Sequence, residues 1–317
     1  MSLIAFGWCE RRQQDFGTHA GNGLMPGRVI SEHRTHSRVA TGGPELTAEM
    51  TGRLRSGAAQ RSDLPGVGDF VALRPAAGDG PATLEAVLPR TTALVRKAAG
   101  EQRPQLLAAN VDVVLIVTGL DGDFNEERIV RYLALVRDSG ATPVIVANKS
   151  DLCENIAAAV AQIAALSPGV PVHAISARQP NSRRELERYF DGNRTIALVG
   201  SSGAGKSTLV NQFLERAAQA TGEVRIHDSR GRHTTTHRQL FLRPKGGTII
   251  DTPGMRGLEL WNAEPVAEAN FEDIETLAQH CKFRNCRHET EPACAVRAAV
   301  AAGKLDAGHL AKYTGRA

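Results

Sequence analysis

Gly200-Ser201-Ser202-Gly203-Ala204-Gly205-Lys206-Ser207-Thr208 is a glycine-punctuated turn between two regular elements. Glycines at 200, 203 and 205 let backbone N–H groups curl inward without Cβ clashes. The run Thr195-Ile196-Ala197-Leu198-Val199 before it reads as a strand, and the spacing from Lys206 onward reads as a helix. That strand, loop and helix context marks a loop that cradles phosphates at a helix N-terminus. All nine residues are candidate phosphate contacts. Lys206 would reach the β- and γ-phosphates, the Ser207 hydroxyl would ligate Mg²⁺, and Thr208 would contact the α-phosphate. A glycine-rich loop arising by chance would lack one of the two matched ends or the flanking strand.

Working outward, Asn148-Lys149-Ser150-Asp151 lies upstream of this loop and follows the apolar run Val144-Ile145-Val146-Ala147. Side chains at the carboxyl end of a parallel strand face the ligand crevice. Asp151 is suited to accept hydrogen bonds from guanine N1–H and its exocyclic amine. Adenine offers neither, leaving a carboxylate unpaired at about 1–3 kcal/mol or more. Taken alone the tetrapeptide could be a surface turn, but its strand-end position and the phosphate loop favour guanine recognition. Ser176-Ala177, at the end of the next expected strand, is the candidate loop whose backbone N–H contacts the guanine oxygen. The base-reading turn thus precedes the phosphate loop in the chain, and the two share one pocket only if the strands have been rejoined in a permuted order.

Asp251-Thr252-Pro253-Gly254 ends the run Thr248-Ile249-Ile250, placing Asp251 to hold Mg²⁺ through water and the Gly254 N–H near the γ-phosphate. Between this and the phosphate loop lies Gly231-Arg232-His233-Thr234-Thr235-Thr236. Thr235 or Thr236 is expected to close over Mg²⁺, although such a run is otherwise a solvated loop. Met255 stands where a water-orienting glutamine is common and cannot do that work. Slow intrinsic hydrolysis is expected, with His233 or a partner completing the site; His233 reads equally as an exposed loop histidine.

Further downstream, Cys281, Cys286, His288 and Cys294 form Cys-x4-Cys-x-His-x5-Cys, four soft donors for a closed tetrahedral zinc site with a structural role. Lys282, Arg284, Arg287 and His288 in the same knuckle either touch RNA phosphates or form a solvated face. Cys9 and Cys153, the other two of five cysteines, have no metal spacing and read as structural thiols. A reducing compartment fits this usage.

Strand and helix alternation over 111–250 predicts a parallel α/β sheet covered on both faces: strands at 111–118, 143–147, 172–176, 195–199 and 248–250, helices near 126–138, 155–165, 182–190 and 206–217. Residues 27–88 carry short β-type runs at 28–30, 37–40, 46–54, 69–73 and 83–88 between Gly/Pro/Asp turns, a pattern for a barrel of about five strands or another small β-domain. Residues 1–24 lack apolar periodicity and read as a mobile leader.

The chain has 317 residues, 42% apolar and 23% charged, with net charge +4. That composition fits an ordinary globular protein and permits, without requiring, an RNA partner. The longest apolar run of the core falls far short of the ~20 residues of a membrane helix, and residues 1–9 do not read as a signal peptide. A cytoplasmic protein with no membrane partner is expected.

Together these residues resemble the circularly permuted, small-ribosomal-subunit-dependent GTPases of bacteria. The likeness runs from about residue 27 to 296 and includes the permuted order, Gly-Arg-His-Thr-Thr-Thr and the Cys/His spacing. Beyond the flexible leader (1–24), it implies an oligonucleotide-binding (OB-fold) RNA-binding barrel (25–98), a central P-loop GTPase domain of permuted motif order (99–260) and a mainly helical zinc-binding domain (261–317). It also implies a monomeric GTPase with GTP/GDP, Mg²⁺ and one Zn²⁺, acting late in small (30S) subunit maturation on the subunit and its 16S rRNA, slow alone and stimulated by the subunit. Two other readings are an RNA-binding zinc module whose nucleotide is only structural, and a P-loop kinase. The kinase reading leaves Asn148-Lys149-Ser150-Asp151 without purpose.

Overall fold

Val113-Val114-Leu115-Ile116-Val117 lies on the middle one of five parallel strands. In the computed structural model, which describes residues 2–78, 80–97, 104–121, 124–179, 182–215, 238–251, 274, 277–278, 280–283, 286, 288, 291–305 and 310, this strand is buried along its whole length. The chain divides into two compact units, Met1–Trp261 and Asn262–Ala317.

The first unit begins with a 3₁₀ turn at Leu3–Phe6 and helix α1 (Glu10–Gly17). Strands β1 (Met25–Glu32), β2 (Ser37–Ala40) and β3 (Leu46–Met50) follow, then helix α2 (Gly52–Gly57), β4 (Phe70–Arg74) and β5 (Ala82–Val87). They pair in the order β1-β2-β3-β5-β4 and close through β1 with β4, β3 and β5 running parallel. This is the five-stranded OB barrel. Its interior is lined by alternate residues, Val29, Val39, Ala48, Val71, Leu73 and Leu84. The β-type run 46–54 is shorter as a strand because the Thr51 hydroxyl accepts from the Leu54 N–H at 3.1 Å and starts α2.

Residues 2–24 correct the expectation of a mobile leader. Leu3, Phe6 and Phe16 are buried, and buried Arg12 donates to Pro89 O (2.6 Å), Asn110 Oδ1 (2.7 Å) and Thr91 Oγ1 (2.9 Å). These anchors are too irregularly spaced to register as a periodic face, and the most connected of them is charged.

Arg28 is the buried seam of this unit. Its guanidinium donates to Phe6 O, Gly68 O (3.1 Å), Asn110 O (3.0 Å) and Thr195 Oγ1 (2.8 Å) and stacks 4.6 Å from the Phe70 ring centroid. Burial pulls its pKa down to about 10. The group is therefore still charged at neutral pH, where its desolvation is a cost that these contacts offset; that cost fades only as pH rises through about 10. Arg28→Met leaves several buried acceptors without a donor, and an expected loss of about 3–5 kcal/mol follows. Urea unfolding measures it; an unchanged midpoint would mean the seam bears no stability.

After the barrel come a hairpin of β6 (Ala93–Lys97) and β7 (Pro104–Ala109), then β8 (Val113–Gly119). The order continues α3 (Glu126–Asp138), β9 (Thr142–Asn148), α4 (Ile156–Leu166) and β10 (Val172–Ala174). Helix α5 (Arg184–Glu187) passes into a kinked 3₁₀ segment ending at Asn193, in place of the single helix expected over 182–190. Then come β11 (Thr195–Gly200), α6 (Lys206–Phe213), β12 (Gln239–Leu242) and β13 (Thr248–Asp251). Strands β10, β9, β8, β11 and β13 are parallel neighbours. β12 runs antiparallel beside β13 and joins barrel strand β1 at Ser31 and Gln239, giving one eleven-stranded sheet.

Val114, Ile116 and Ile145 face α3 and α4 through Ile129, Leu133 and Ile163. Val113, Leu115 and Val117 face the opposite side, packing with Leu186, Leu209 and Phe213. Side chains that alternate between two covered faces explain the unbroken apolar run. Each such fully buried side chain contributes about 1.5–3 kcal/mol.

In the second unit, Cys294 caps helix α7 (Ala295–Ala301). Ile274, Val296, Ala299 and Leu305 pack around the cysteines. Among the described residues no helix is long and apolar enough to cross a membrane.

Candidate functional site

Because β9, β10, β11 and β13 are parallel, the turns after them open on one edge of the sheet. Gly200 closes β11 at φ +144°, where a Cβ would lie 2.0 Å from Val117 O. Gly205 has φ +100°, and a Cβ there would lie 2.0 Å from Asn148 Nδ2. Both positions demand glycine for the backbone to wrap. Lys206, first residue of α6, donates from Nζ to Gly200 O (2.8 Å) and Ser201 O. Its ammonium thus lies over the loop that is to hold phosphate. Ser201, Ser202, Gly203, Ala204, Ser207 and Thr208 complete the loop and first turn around it.

Asn148 joins the separated motifs. Its Nδ2 donates to Ala204 O at 2.6 Å, and its Oδ1 accepts the Ala177 N–H at 2.8 Å. The side chain is 2% exposed. The base-reading turn, the Ser176-Ala177 loop and the phosphate loop therefore meet at one place. Both amide atoms of Asn148 are engaged by backbone, so its structural part is to join loops, and the Ala177 N–H is directed at Asn148.

Lys149 takes a left-handed conformation, φ 63°, of a kind that clusters at functional sites. Its Nζ pairs with Asp121 Oδ2. Sequence reasoning did not single out Asp121, yet a polar turn after a buried strand at the carboxyl edge was the signal for it. Ser150 donates its N–H to Ile175 O at 3.1 Å, holding the turn against the end of β10.

Asp151 is exposed. The neighbouring Ser176 hydroxyl holds its carboxyl below the usual aspartate range, while Ser176 Oγ itself is buried without a partner at hydrogen-bond geometry. A lowered folded pKa keeps the carboxylate charged until pH falls below the ordinary Asp value of about 3.9. The preference for GDP over IDP, which lacks the 2-amine, is accordingly expected to stay flat between about pH 5 and 8. A preference that declines toward pH 5 would contradict the assignment. Asp151→Asn is expected to weaken GDP binding by about tenfold to a hundredfold, read by calorimetry.

Asp251 closes β13, half-buried, on the same edge as Gly200. Gly254, His233, Thr235, Thr236 and Met255 lie outside the described residues.

In the second unit the ligand atoms of Cys281, Cys286, His288 and Cys294 all lie within 4.8 Å of one another. Cys281 Sγ is 3.8 Å from Cys294 Sγ and 3.7 Å from His288 Nδ1, and His288 Nδ1 is 3.4 Å from Cys294 Sγ. Four soft donors at about the edge lengths of a zinc tetrahedron fit that ion. Burial, before all else, pushes the Cys286 thiol up, whereas at Cys281 burial is outweighed by hydrogen bonds, those from the Val296 and Ala295 backbone N–H groups foremost, which bring the thiol down.

A parallel sheet whose carboxyl edge gathers a glycine-rich strand–loop–helix turn, an Asn-Lys-Ser-Asp turn and a strand-end aspartate defines a P-loop nucleotide-binding protein of permuted order. The family described as RsgA GTPase matches residues 87–261. Curated relatives named small ribosomal subunit biogenesis GTPase RsgA include one from Opitutus terrae, 44% identical over 99% of this chain and 88% of its own length. Another, from Xylella fastidiosa strain M23, is 47% identical over 91% of this chain and 86% of its own. YjeQ from Thermotoga maritima superposes with a TM-score of 0.58 at 26% identity, covering 92% of this chain and 98% of that one. YloQ, described as a circularly permuted GTPase, gives 0.56 at 25%, covering 94% and 96%. The chain belongs to the RsgA GTPase family and is a GTP-hydrolysing enzyme.

Proposed function

We propose that this GTPase acts late in maturation of the small ribosomal subunit, binding the subunit and its 16S rRNA as a monomer in the cytoplasm and leaving after hydrolysis. The observation that carries the nucleotide half is Asn148, which binds the phosphate loop and the Ser176-Ala177 loop with one side chain. The names of the curated relatives support the ribosomal half.

In this reading Lys206 neutralises charge on the β- and γ-phosphates, and the loop N–H groups orient them. Ser207, Asp251 and one of Thr235 or Thr236 hold Mg²⁺, which when bound neutralises charge developing between the β- and γ-phosphates. Asp151 selects guanine. Met255 supplies no water-orienting group, so turnover is slow until His233 or a group on the subunit completes the site. If His233→Ala leaves subunit-stimulated turnover unchanged, His233 has no such role.

The four donors of the second unit hold one structural Zn²⁺, and residues 251–257 precede that unit directly in the chain. Contact of Gly254 with the γ-phosphate is the means by which the bound nucleotide governs affinity for rRNA. GTP hydrolysis measured with and without purified small subunits tests the proposal, as does subunit affinity in the GTP and GDP states. Stimulation and tighter binding with GTP are expected; equal affinity in the two states sinks the release step. An RNA-binding zinc module with a merely structural nucleotide would show no stimulated phosphate release.

A further inference from the structure

Gln212 lies on α6 among the buried residues Leu209, Val210 and Phe213, a place where an apolar side chain would need no partner. Its Nε2 donates to Ala177 O, while its Oε1 is buried with no hydrogen-bond partner. Arg183 at the far end of the same loop donates from NH1 to the Gln212 backbone carbonyl. One residue of the phosphate-loop helix therefore grips both ends of the segment 177–183. The Ser182 hydroxyl adds bonds to Ser176 O and to Gln179 O, at 2.8 Å to the latter.

The carbonyl of Ala177 and the N–H of Arg178 share one peptide plane, and no peptide bond among the described residues is cis. Carbonyl and N–H in a trans peptide point in opposite directions. Fixing the Ala177 carbonyl toward α6 thus turns the Arg178 N–H away from it. That N–H finds no acceptor among the described residues, whereas the Ala177 N–H is already engaged by Asn148 Oδ1 at 2.8 Å.

We propose that Gln212 is a positioning residue for base specificity: by holding the Ala177 carbonyl it presents the Arg178 N–H to the 6-oxo group of guanine. This rests on the reading of the pocket as a guanine site and deepens it. It ties the helix that binds phosphate to the loop that binds base, and it gives the unpartnered Gln212 Oε1 a reason to be tolerated in an apolar cluster.

The test is calorimetric titration of the full chain with GDP, with IDP and with 2-aminopurine riboside diphosphate, which keeps the 2-amine and lacks the 6-oxo group and the N1–H beside it. Gln212→Leu preserves volume and removes the donor; Gln212→Glu preserves shape and sets an acceptor against the Ala177 carbonyl. In both, preference for GDP over the 2-aminopurine analogue is expected to fall about tenfold, the worth of one hydrogen bond, with preference over IDP unchanged. Asp151→Asn is expected to lose its preference over IDP. If either folded Gln212 variant keeps its preference over the 2-aminopurine analogue while Asp151→Asn loses its preference over IDP, the role of Gln212 is overturned and the guanine site stands. If Asp151→Asn alters neither ratio, the guanine site itself fails. Should the leucine variant not fold, the glutamate variant decides.

Discussion

Lys206→Ala lowers subunit-stimulated GTP hydrolysis by about a thousandfold or more, the scale set by losing a fixed positive charge from a phosphoryl-transfer site. In the structure Lys206 Nζ is held 2.8 Å from Gly200 O, so the ammonium lies over the loop before any ligand arrives. Alanine keeps the α6 backbone, because the residue begins that helix and alanine is the best helix former. The variant is therefore expected to unfold at the parent's urea concentration. Phosphate release with small subunits present, beside that unfolding curve, makes the check. Stimulated turnover surviving in a folded Lys206→Ala protein would leave the phosphate loop without a catalytic part.

Cys294→Ser is expected to have the second large effect. The residue is at once a member of the four-donor cluster, the cap of α7 and a member of the unit's apolar cluster. Removing one thiolate from a closed zinc site forfeits much of a binding free energy of about 10–16 kcal/mol in small zinc-dependent folds. The unit has few other buried apolar groups among its described residues, so its order follows the metal. Bound zinc measured by elemental analysis is expected to drop from one per chain to well below one. Hydrogen exchange over residues 274–310 should rise while β8 stays protected. Full zinc retention in Cys294→Ser would remove this cysteine from the ligand set.

Legibility in the sequence followed chemistry. The phosphate loop, the guanine turn and the zinc donors were readable because each uses residue types in fixed spacing. The parallel sheet was readable because a strand covered on both faces must be apolar throughout. The hairpin of β6 and β7 was missed because the sequence between its strands, 98–103, is a polar, alanine-bearing run that resembles a linker. β12, four residues long, was too short to register, although it joins the barrel strands to the parallel ones. Gln212 and Arg28 were invisible for another reason: each is a polar residue whose value lies in backbone groups distant in sequence, and no spacing rule encodes those partners.

The pairing of Ser31 with Gln239 makes the barrel residues, 25–87, something other than a detachable module. Cut away from them, β12 would become a raw border, its amides open to any passing chain. A fragment beginning after the barrel is thus a candidate for self-association instead of a minimal enzyme. Rejoining the strands in a new order left one flank of the sheet unguarded, and the guard was recruited from the far end of the polypeptide.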